Sequence, residues 1–439
     1  MIPLSEAYLS KFEEARKVID KEDFFRVFSH YDADGVSSAL IIAETLRRVN
    51  KNFHVSFLRS MELDVIREYG NGPLILSDLG SEVPEDLSSS AIVVIDHHSI
   101  SDGTGNRIIN LNPRKFGYDG TKEACSSTVA FILSLAVDQS NQDLFPAFLA
   151  GVIGDKQNIG GFNGINGKIV EDLKARYPSS KELNLSGKTI SEAIYLSVEP
   201  YFDGLSGSQE GSRYLLENMS IDPDSPIANL RTDEKEKIVD SLALQLIKQN
   251  AAREGYETLV SDMFNFKELG MTCIQLSEYF DAAGRNGKMG LPTSWYMGYE
   301  EGKEEMDALS VKLRKEVLEQ VKKSYESRKE MKHFHLAYVE NPFLAGIIAS
   351  VMMVYLVSGA KPVVTLSKNK GTKISSRASR ELVAKGLDLS KAVGEVASKV
   401  GGHGGGHNIA AGGEIPLDRE EEFLEKLDEG LQLLKGNFK

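Results

Sequence analysis

The chain is short of cysteine and of long apolar runs, and each shortage narrows what it can be. Its two cysteines, Cys125 and Cys273, stand far apart and lack metal-ligand spacing. A disulfide framework is therefore not expected, and a reducing cytoplasm is the expected compartment. The longest apolar run, Phe343 to Val357, falls below the roughly 20 residues that a membrane span needs. The opening stretch MIPLSEAYLSKFEEARKVI is charged and amphipathic, without a signal-peptide core or cleavage site. No membrane partner is expected, and no tandem repeat is evident.

Excess positive charge is also missing. A formal net charge of −13 speaks against a protein that coats polyanions. The charge is unevenly spread, however. Between Asn341 and Gly413, nine Lys and Arg residues (among them Lys361, Lys368, Lys373, Arg377 and Lys391) face only Glu381, Asp388 and Glu395. A locally basic module could bind a phosphate backbone there, or could simply be a solvated face.

With 439 residues, 41% of them hydrophobic, two or three domains are expected. Residues 1–20 read as an amphipathic helix with Leu9, Phe12, Ala15 and Ile19 on one side. Apolar runs at Phe24–Ser29, Phe53–Phe57, Leu74–Ser77 and Ala91–Ile95 then alternate with helical stretches, the first at about Ser37–Val49. That pattern predicts an α/β fold with an open, mainly parallel sheet covered on both faces over the first ~150 residues. Helices are expected at Thr128–Ala136 and Leu144–Ile153. From Thr232 to Lys332 the pattern is mainly helical, ending in a long exposed helix over Lys303–Lys332. FHLAYVE at 334–340 is strand-like, Gly346–Val357 helical, and a hairpin is expected around Asn369-Lys370-Gly371. The Gly-dense GGHGGGHNIAAGG reads as a loop.

The chemistry converges where an open α/β sheet gathers ligands, beyond the carboxyl ends of its strands. His30, Asp32 and Asp34 follow the first strand, Asp78 the third, and Asp96, His97 and His98 the fourth, while Asp155 ends an apolar helix. Five of the eight histidines lie in these motifs or in the late Gly-rich segment. One acid after a strand is ordinary; three strands ending in Asp or Asp-His-His point to a shared site. Mixed nitrogen and oxygen donors suit Mn²⁺ or a similar divalent ion. Two such ions about 3.5–4 Å apart can clamp a phosphate. So many clustered acids would repel one another without cations.

The glycines of the late segment have their own rationale, since backbone lacking Cβ can approach a phosphate or a terminal nucleotide closely. His407 could donate to a phosphate oxygen, and Arg377 could bind one bidentately. Ser126 and Ser127 stand at an expected helix start, where capping rather than substrate binding is the expected role.

These segments resemble a known family. HYDADG at 30–35, SDLG at 77–80, DHH at 96–98 and GD at 154–155 match, in order, the four motifs of DHH phosphoesterases. GGHNIAAG at 405–412 matches the signature of the DHH-associated domain. The resemblance implies two divalent metal ions, Mn²⁺ with Mg²⁺ as the alternative. Asp32 and Asp155, with His30 added, would hold one; Asp34 and His98 would hold the other; Asp78 would bridge them. Asp96 would orient the histidines, and His97 would lie against the scissile phosphate or the attacking water. Gly405, Gly406, His407 and Asn408 would contact substrate. His403 ends an earlier GGH that lacks the rest of the signature. AAGRNGK at 282–288 resembles a segment of archaeal RecJ-like proteins and adds Arg285 as a phosphate contact.

Within the family the motif set resembles the RecJ-like exonucleases, especially the archaeal, GINS-associated type. The long connection from Asp155 to FHLAYVE separates the chain from compact nanoRNA phosphatases and cyclic-dinucleotide phosphodiesterases, and no room remains after Ile415 for the OB-fold of bacterial RecJ. The resemblance implies a DHH catalytic domain over 1–200, a helical insertion and connecting helix over 201–333, and a DHH-associated domain over 334–439 across a cleft. It implies hydrolysis of single-stranded DNA or RNA from an end, releasing mononucleotides, with the GINS replication complex as a conceivable partner. Two readings compete: a phosphodiesterase for short oligonucleotides or cyclic dinucleotides, and a non-enzymatic replication scaffold that binds GINS.

Overall fold

The computed structural model describes residues 4–436, apart from 70–71, 81–82, 84–86, 88, 100–107, 300 and 358. The chain forms two compact units, Met1–Lys181 with Asp262–Ser310, and Glu182–Ser261 with Val311–Lys439. The stretch 201–333 thus contributes to both.

In the first unit, Ser5 caps helix α1 (Glu6–Lys21) by accepting from the Tyr8 amide. The buried stripe is Tyr8, Phe12, Ala15 and Ile19. Tyr8, rather than the expected Leu9, begins it: its hydroxyl donates to the Leu111 carbonyl at 2.7 Å, and Leu9 is 38% exposed.

Strands β1 (Phe24–His30), β2 (Asn52–Leu58), β3 (Leu74–Ser77), β4 (Ile92–Ile95) and β5 (Ile108–Asn110) form one parallel sheet in the order β2-β1-β3-β4-β5. The expected α/β architecture is therefore present, with β5 an unanticipated edge. Side chains alternate across the sheet. Phe25, Val27, Ile75, Val93 and Ile95 join the large core, while Phe28, Leu74, Leu76, Ile92 and Val94 pack on the opposite face. Burial on both faces is why these strands read as continuous apolar runs. Truncating Ile75 to Ala would cost about 2–5 kcal/mol.

Helix α2 (Ala33–Arg48) begins inside the DADG motif, not after it. Asp32 is its N-cap and accepts from the Gly35 amide at 3.0 Å. Gly35 is helical, not a turn residue; a Cβ there would collide with the His30 carbonyl. Nearly every residue of α2 is buried, against α3 (Ser126–Val137), α4 (Phe145–Gly154) and α5 (Cys273–Arg285).

Two expectations fail in the connecting region. Val260–Phe266 pairs antiparallel with Met271–Thr272 inside a stretch read as helical. Helix α6 (Lys303–Glu326), in which the chain passes from one unit to the other, is not simply exposed. Met306, Leu313, Val317, Leu318 and Val321 are buried, and so is Arg314, which donates to the Ser186 carbonyl at 2.8 Å.

The second unit contains a sheet of β6 (Lys329–Glu330), β7 (His335–Tyr338), β8 (Val363–Lys368), β9 (Thr372–Arg377), β10 (His403–Gly406) and β11 (Ala410–Ile415). The order is β10-β11-β9-β8-β7-β6, and only β7–β8 is parallel. The turn at 369–371 is the expected hairpin, with the Asn369 amide donating to the Gly371 carbonyl at 2.9 Å. The Gly-dense segment is a hairpin too, β10 and β11, rather than a loop. Helices α7 (Leu389–Lys399) and α8 (Glu420–Gly436) supply Leu389, Val393, Phe423 and Leu427 to a core with Leu336, Val364 and Ile374. Among the described residues, no helix is long and apolar enough to cross a membrane.

Candidate metal centre

The carboxyl edge of the first sheet gathers the expected acids and histidines. His30 ends β1, Asp78 follows β3, and Asp96, His97 and His98 follow β4. Asp32 and Asp34 open α2, and Asp155 caps the C-terminus of α4. Asp78 is left-handed (φ 54°), a conformation that Asp tolerates, with its amide donating to the Ile95 carbonyl at 2.8 Å.

Among the described residues, two donor sets have ligand atoms within 4.8 Å of one another: His30, Asp32 and Asp78, and Asp78, Asp96, His97 and His98. Asp78 belongs to both. His30 Nδ1 lies 2.9 Å from Asp32 Oδ2 and 3.4 Å from Asp78 Oδ2. His97 Nε2 lies 3.5 Å from Asp78 Oδ1 and 3.9 Å from Asp34 Oδ2, and its Nδ1 is 3.7 Å from Asp155 Oδ2. Asp34 and Asp155 therefore stand against the same cluster.

The two adjacent histidines are held differently. His97 Nδ1–H donates to the Gly120 carbonyl at 2.5 Å, which leaves Nε2 as the nitrogen facing Asp78 and Asp34. His98 Nδ1–H donates to Asp96 Oδ1 at 2.7 Å. Asp96 Oδ1 also accepts from the His97 amide at 2.8 Å, which locks the turn. The His97 side chain is 4% exposed and that of His98 is 43% exposed.

Other residues complete the site: Ser126 and Ser127, expected only as helix caps, and Gln157 and Gly151, which the sequence did not single out. The N-terminus of α3 points at Asp34: the Ser126 and Ser127 amides donate to Asp34 Oδ2 and Oδ1 at 2.7 and 2.9 Å. The Ser126 hydroxyl donates to Asp78 Oδ1 at 2.8 Å. These serines therefore serve the acid cluster, and the expected capping role falls to Cys125 instead. Gln157 Nε2 donates to Asp155 Oδ2 at 2.7 Å and to the Gly120 carbonyl at 3.0 Å, and its own carbonyl accepts from Asn166 at 2.7 Å. A Cβ at Gly151 on α4 would collide with Ser127 Oγ and press on Asp34.

The electrostatics follow from the crowding of acids and histidines. Burial pushes the Asp34 carboxyl up to about 6, with the Asp78 charge adding to the shift. Burial likewise pushes Asp155 up to about 7, against the pull of His97. Burial works against the charged forms of His30 and His97. Asp32 and Asp78 nevertheless raise His30 well above its ordinary value, and Asp155, Asp78 and Asp34 do the same for His97. Burial would also raise Asp96, but His98 and His97 hold it at about 2. Asp96 Oδ2 is buried with no hydrogen-bond partner among the described residues. Buried acids forced to keep protons, next to histidines forced to take them, form an environment that cations would relieve. The donor set fits two divalent ions.

Of the expected substrate contacts, Arg285 shares this unit. It ends α5, bonds Asp281 at 2.6 Å, lies over the Tyr31 ring at 6.0 Å and acts electrostatically on Asp32. Arg377, His403, Gly405, Gly406, His407 and Asn408 lie in the second unit. Arg377 pairs with Ala410 across β9–β11, and the His407 amide donates to the Ala410 carbonyl at 2.7 Å, so Arg377 and His407 share one end of that sheet. Arg377 also bonds Ser350 at 3.2 Å. Exposed β10 carries His403, Gly405 and Gly406, while the Asn408 carbonyl accepts from Leu389.

The fold and site define an α/β protein with a cation-binding acid and histidine cluster at the strand ends. The comparisons agree. The DHH family N-terminal domain matches residues 25–153 and the DHHA1 domain residues 334–433. An uncharacterized protein of Methanocaldococcus jannaschii is 30% identical over 439 residues, covering 94% of this chain and 94% of that one. The chain belongs to the DHH family. Among solved structures, RecJ from Thermus thermophilus in complex with Mn²⁺ matches with a TM-score of 0.62 at 15% identity, over 98% of this chain and 55% of that one. The chain thus spans about half the length of that RecJ. CDC45 from Entamoeba histolytica matches with a TM-score of 0.67 at 12% identity, over 98% of this chain and 100% of that one. Both share the fold.

Proposed function

We propose that the protein is a divalent-metal-dependent phosphodiesterase that hydrolyses single-stranded DNA or RNA from an end and releases mononucleotides. The observation that carries this reading is Asp78, one buried carboxylate common to two donor sets. His30, Asp32 and Asp155 with Asp78 would hold one ion, and Asp34 and His97 with Asp78 the other. When bound, two such cations (Mn²⁺, with Mg²⁺ as the alternative) neutralise phosphoryl charge and lower the pKa of water. This assignment exchanges the histidine roles that the family resemblance implied. His97 has its Nδ1 proton committed to Gly120 and its Nε2 facing acids. His98 has its Nδ1 proton held by Asp96, which orients the ring, and its Nε2 would pass a proton to the leaving oxygen. Arg285 would add positive charge for an approaching phosphate, and in the second unit Arg377 and His407 would bind the strand's phosphates.

End-labelled single-stranded DNA and RNA, incubated with Mn²⁺ or Mg²⁺ and resolved at single-nucleotide steps, test the reading. A ladder of mononucleotide losses supports it. Cleavage confined to two- to five-nucleotide substrates would favour an oligonucleotide or cyclic-dinucleotide phosphodiesterase instead. The fold shared with CDC45 favours one non-catalytic alternative, a scaffold bound to a GINS replication complex. A protein inert with Mn²⁺ that binds GINS tightly would establish it. Every motif acid and histidine is in place, which speaks for catalysis.

A further inference from the structure

A cavity of about 190 Å³ opens beside the acid cluster, lined by His30, Asp78, Asp96 and His98 together with Arg59. Arg59 belongs to none of the motifs, and its position follows from the sheet. Leu58, the last residue of β2, pairs with His30, the last residue of β1. One strand further on, Ser29 pairs with Ser77, which precedes Asp78, and Ser77 pairs with Ile95, which precedes Asp96. Arg59, one residue past the end of β2, therefore stands at the same carboxyl edge as His30 at the end of β1 and as Asp78 and Asp96 just past β3 and β4. Arg59 is exposed, and its amide is anchored to Glu62 Oε1 at 3.2 Å.

This edge poses an electrostatic problem. A phosphodiester strand entering this cavity meets the carboxylates of Asp78 and Asp96. The phosphate under attack is compensated by whatever cations the two donor sets hold. Its neighbour along the strand, still carrying a full negative charge, needs a cation of its own. Arg59 is the one guanidinium among the residues lining the cavity, and its planar fork matches two phosphate oxygens.

We infer that Arg59 is a substrate-binding residue that grips the phosphate flanking the scissile one. This rests on the phosphodiesterase reading above and deepens it, because it makes the cavity a subsite for a polymer rather than for an isolated phosphate. Such a contact raises affinity for strands with a flanking phosphodiester and leaves the metal donors untouched.

The test combines Arg59→Gln and Arg59→Lys with strands carrying one neutral methylphosphonate at successive linkages. Binding is measured by fluorescence anisotropy with Ca²⁺ replacing Mn²⁺, and turnover with Mn²⁺. The wild-type protein should lose about tenfold to a hundredfold in affinity when the linkage flanking the scissile one is neutral, as expected for a charge-assisted contact. R59Q should show that loss on the unmodified strand and no additional loss at that linkage. R59K should retain part of the position dependence. Mn²⁺ titration of R59Q should match wild type. Equal penalties in wild type and R59Q at every linkage overturn the assignment, as does a loss of Mn²⁺ affinity in R59Q, which would make Arg59 a support for the metal donors. Failure of the wild type to cleave the unmodified strand would instead remove the phosphodiesterase reading itself.

Discussion

Ser126 donates its hydroxyl to Asp78 across 48 positions of sequence, at 2.8 Å, while its backbone amide holds Asp34. The start of α3 thus orients two carboxylates at once. Ser126→Ala should keep the amide contact to Asp34 and lose the hydroxyl contact to Asp78. The expected result is roughly 10–100-fold weaker Mn²⁺ binding, measured by calorimetry, with the fold intact.

Gly151→Ala tests the close approach of α4. The new methyl would press on Ser127 and Asp34 together. Overpacking of this kind costs about 1–3 kcal/mol, and denaturant unfolding in EDTA should show that loss along with weaker metal binding.

The two histidines should separate in their kinetics. Asp96→Asn leaves His98 without its charged anchor and should lower kcat by about 10²–10⁴-fold with Mn²⁺ affinity near wild type. His97→Gln should instead weaken Mn²⁺ binding, because it removes the nitrogen that faces Asp78 and Asp34. The reverse pattern would restore His98 as the metal ligand.

Stability of the metal-free protein should fall as pH rises from about 5 toward 8. Asp34 and Asp155 have folded-state values of about 6 and 7, above their unfolded values, so they favour the fold when protonated and that contribution is lost as pH climbs through those values. His30 and His97, also raised, act in the same direction. Mn²⁺ should therefore raise Tm more at pH 8 than at pH 5.5, and binding near pH 6 should release protons. Thermal melts with Mn²⁺ or EDTA across that range check both signs.

Much of this was legible in the sequence because strong local signals carried it. The runs LILS and IVVI are buried throughout, as strands covered on both faces are, and their short length between helical stretches marked them as such. The acids after them mark the carboxyl edge of the sheet. What escaped depends on distant contacts. Ser126 and Ser127 read as cap residues because their partner Asp34 lies 92 and 93 positions away. The helix read as starting near Ser37 because nothing local shows that Asp32 caps it and that the His30 carbonyl packs against Gly35. GGHGGGHNIAAGG read as a loop because glycine suppresses strand propensity, yet β11 pairs along its length with β9, which supplies the missing register.

Two cations that share Asp78 should be visible in electron paramagnetic resonance of the Mn²⁺-titrated protein. Wild type should give the signal of an exchange-coupled manganese pair at two equivalents, and Asp78→Ala should lose both the coupling and strand hydrolysis. A wild-type spectrum of isolated, uncoupled manganese, or an Asp78→Ala variant that still cleaves, would contradict that sharing.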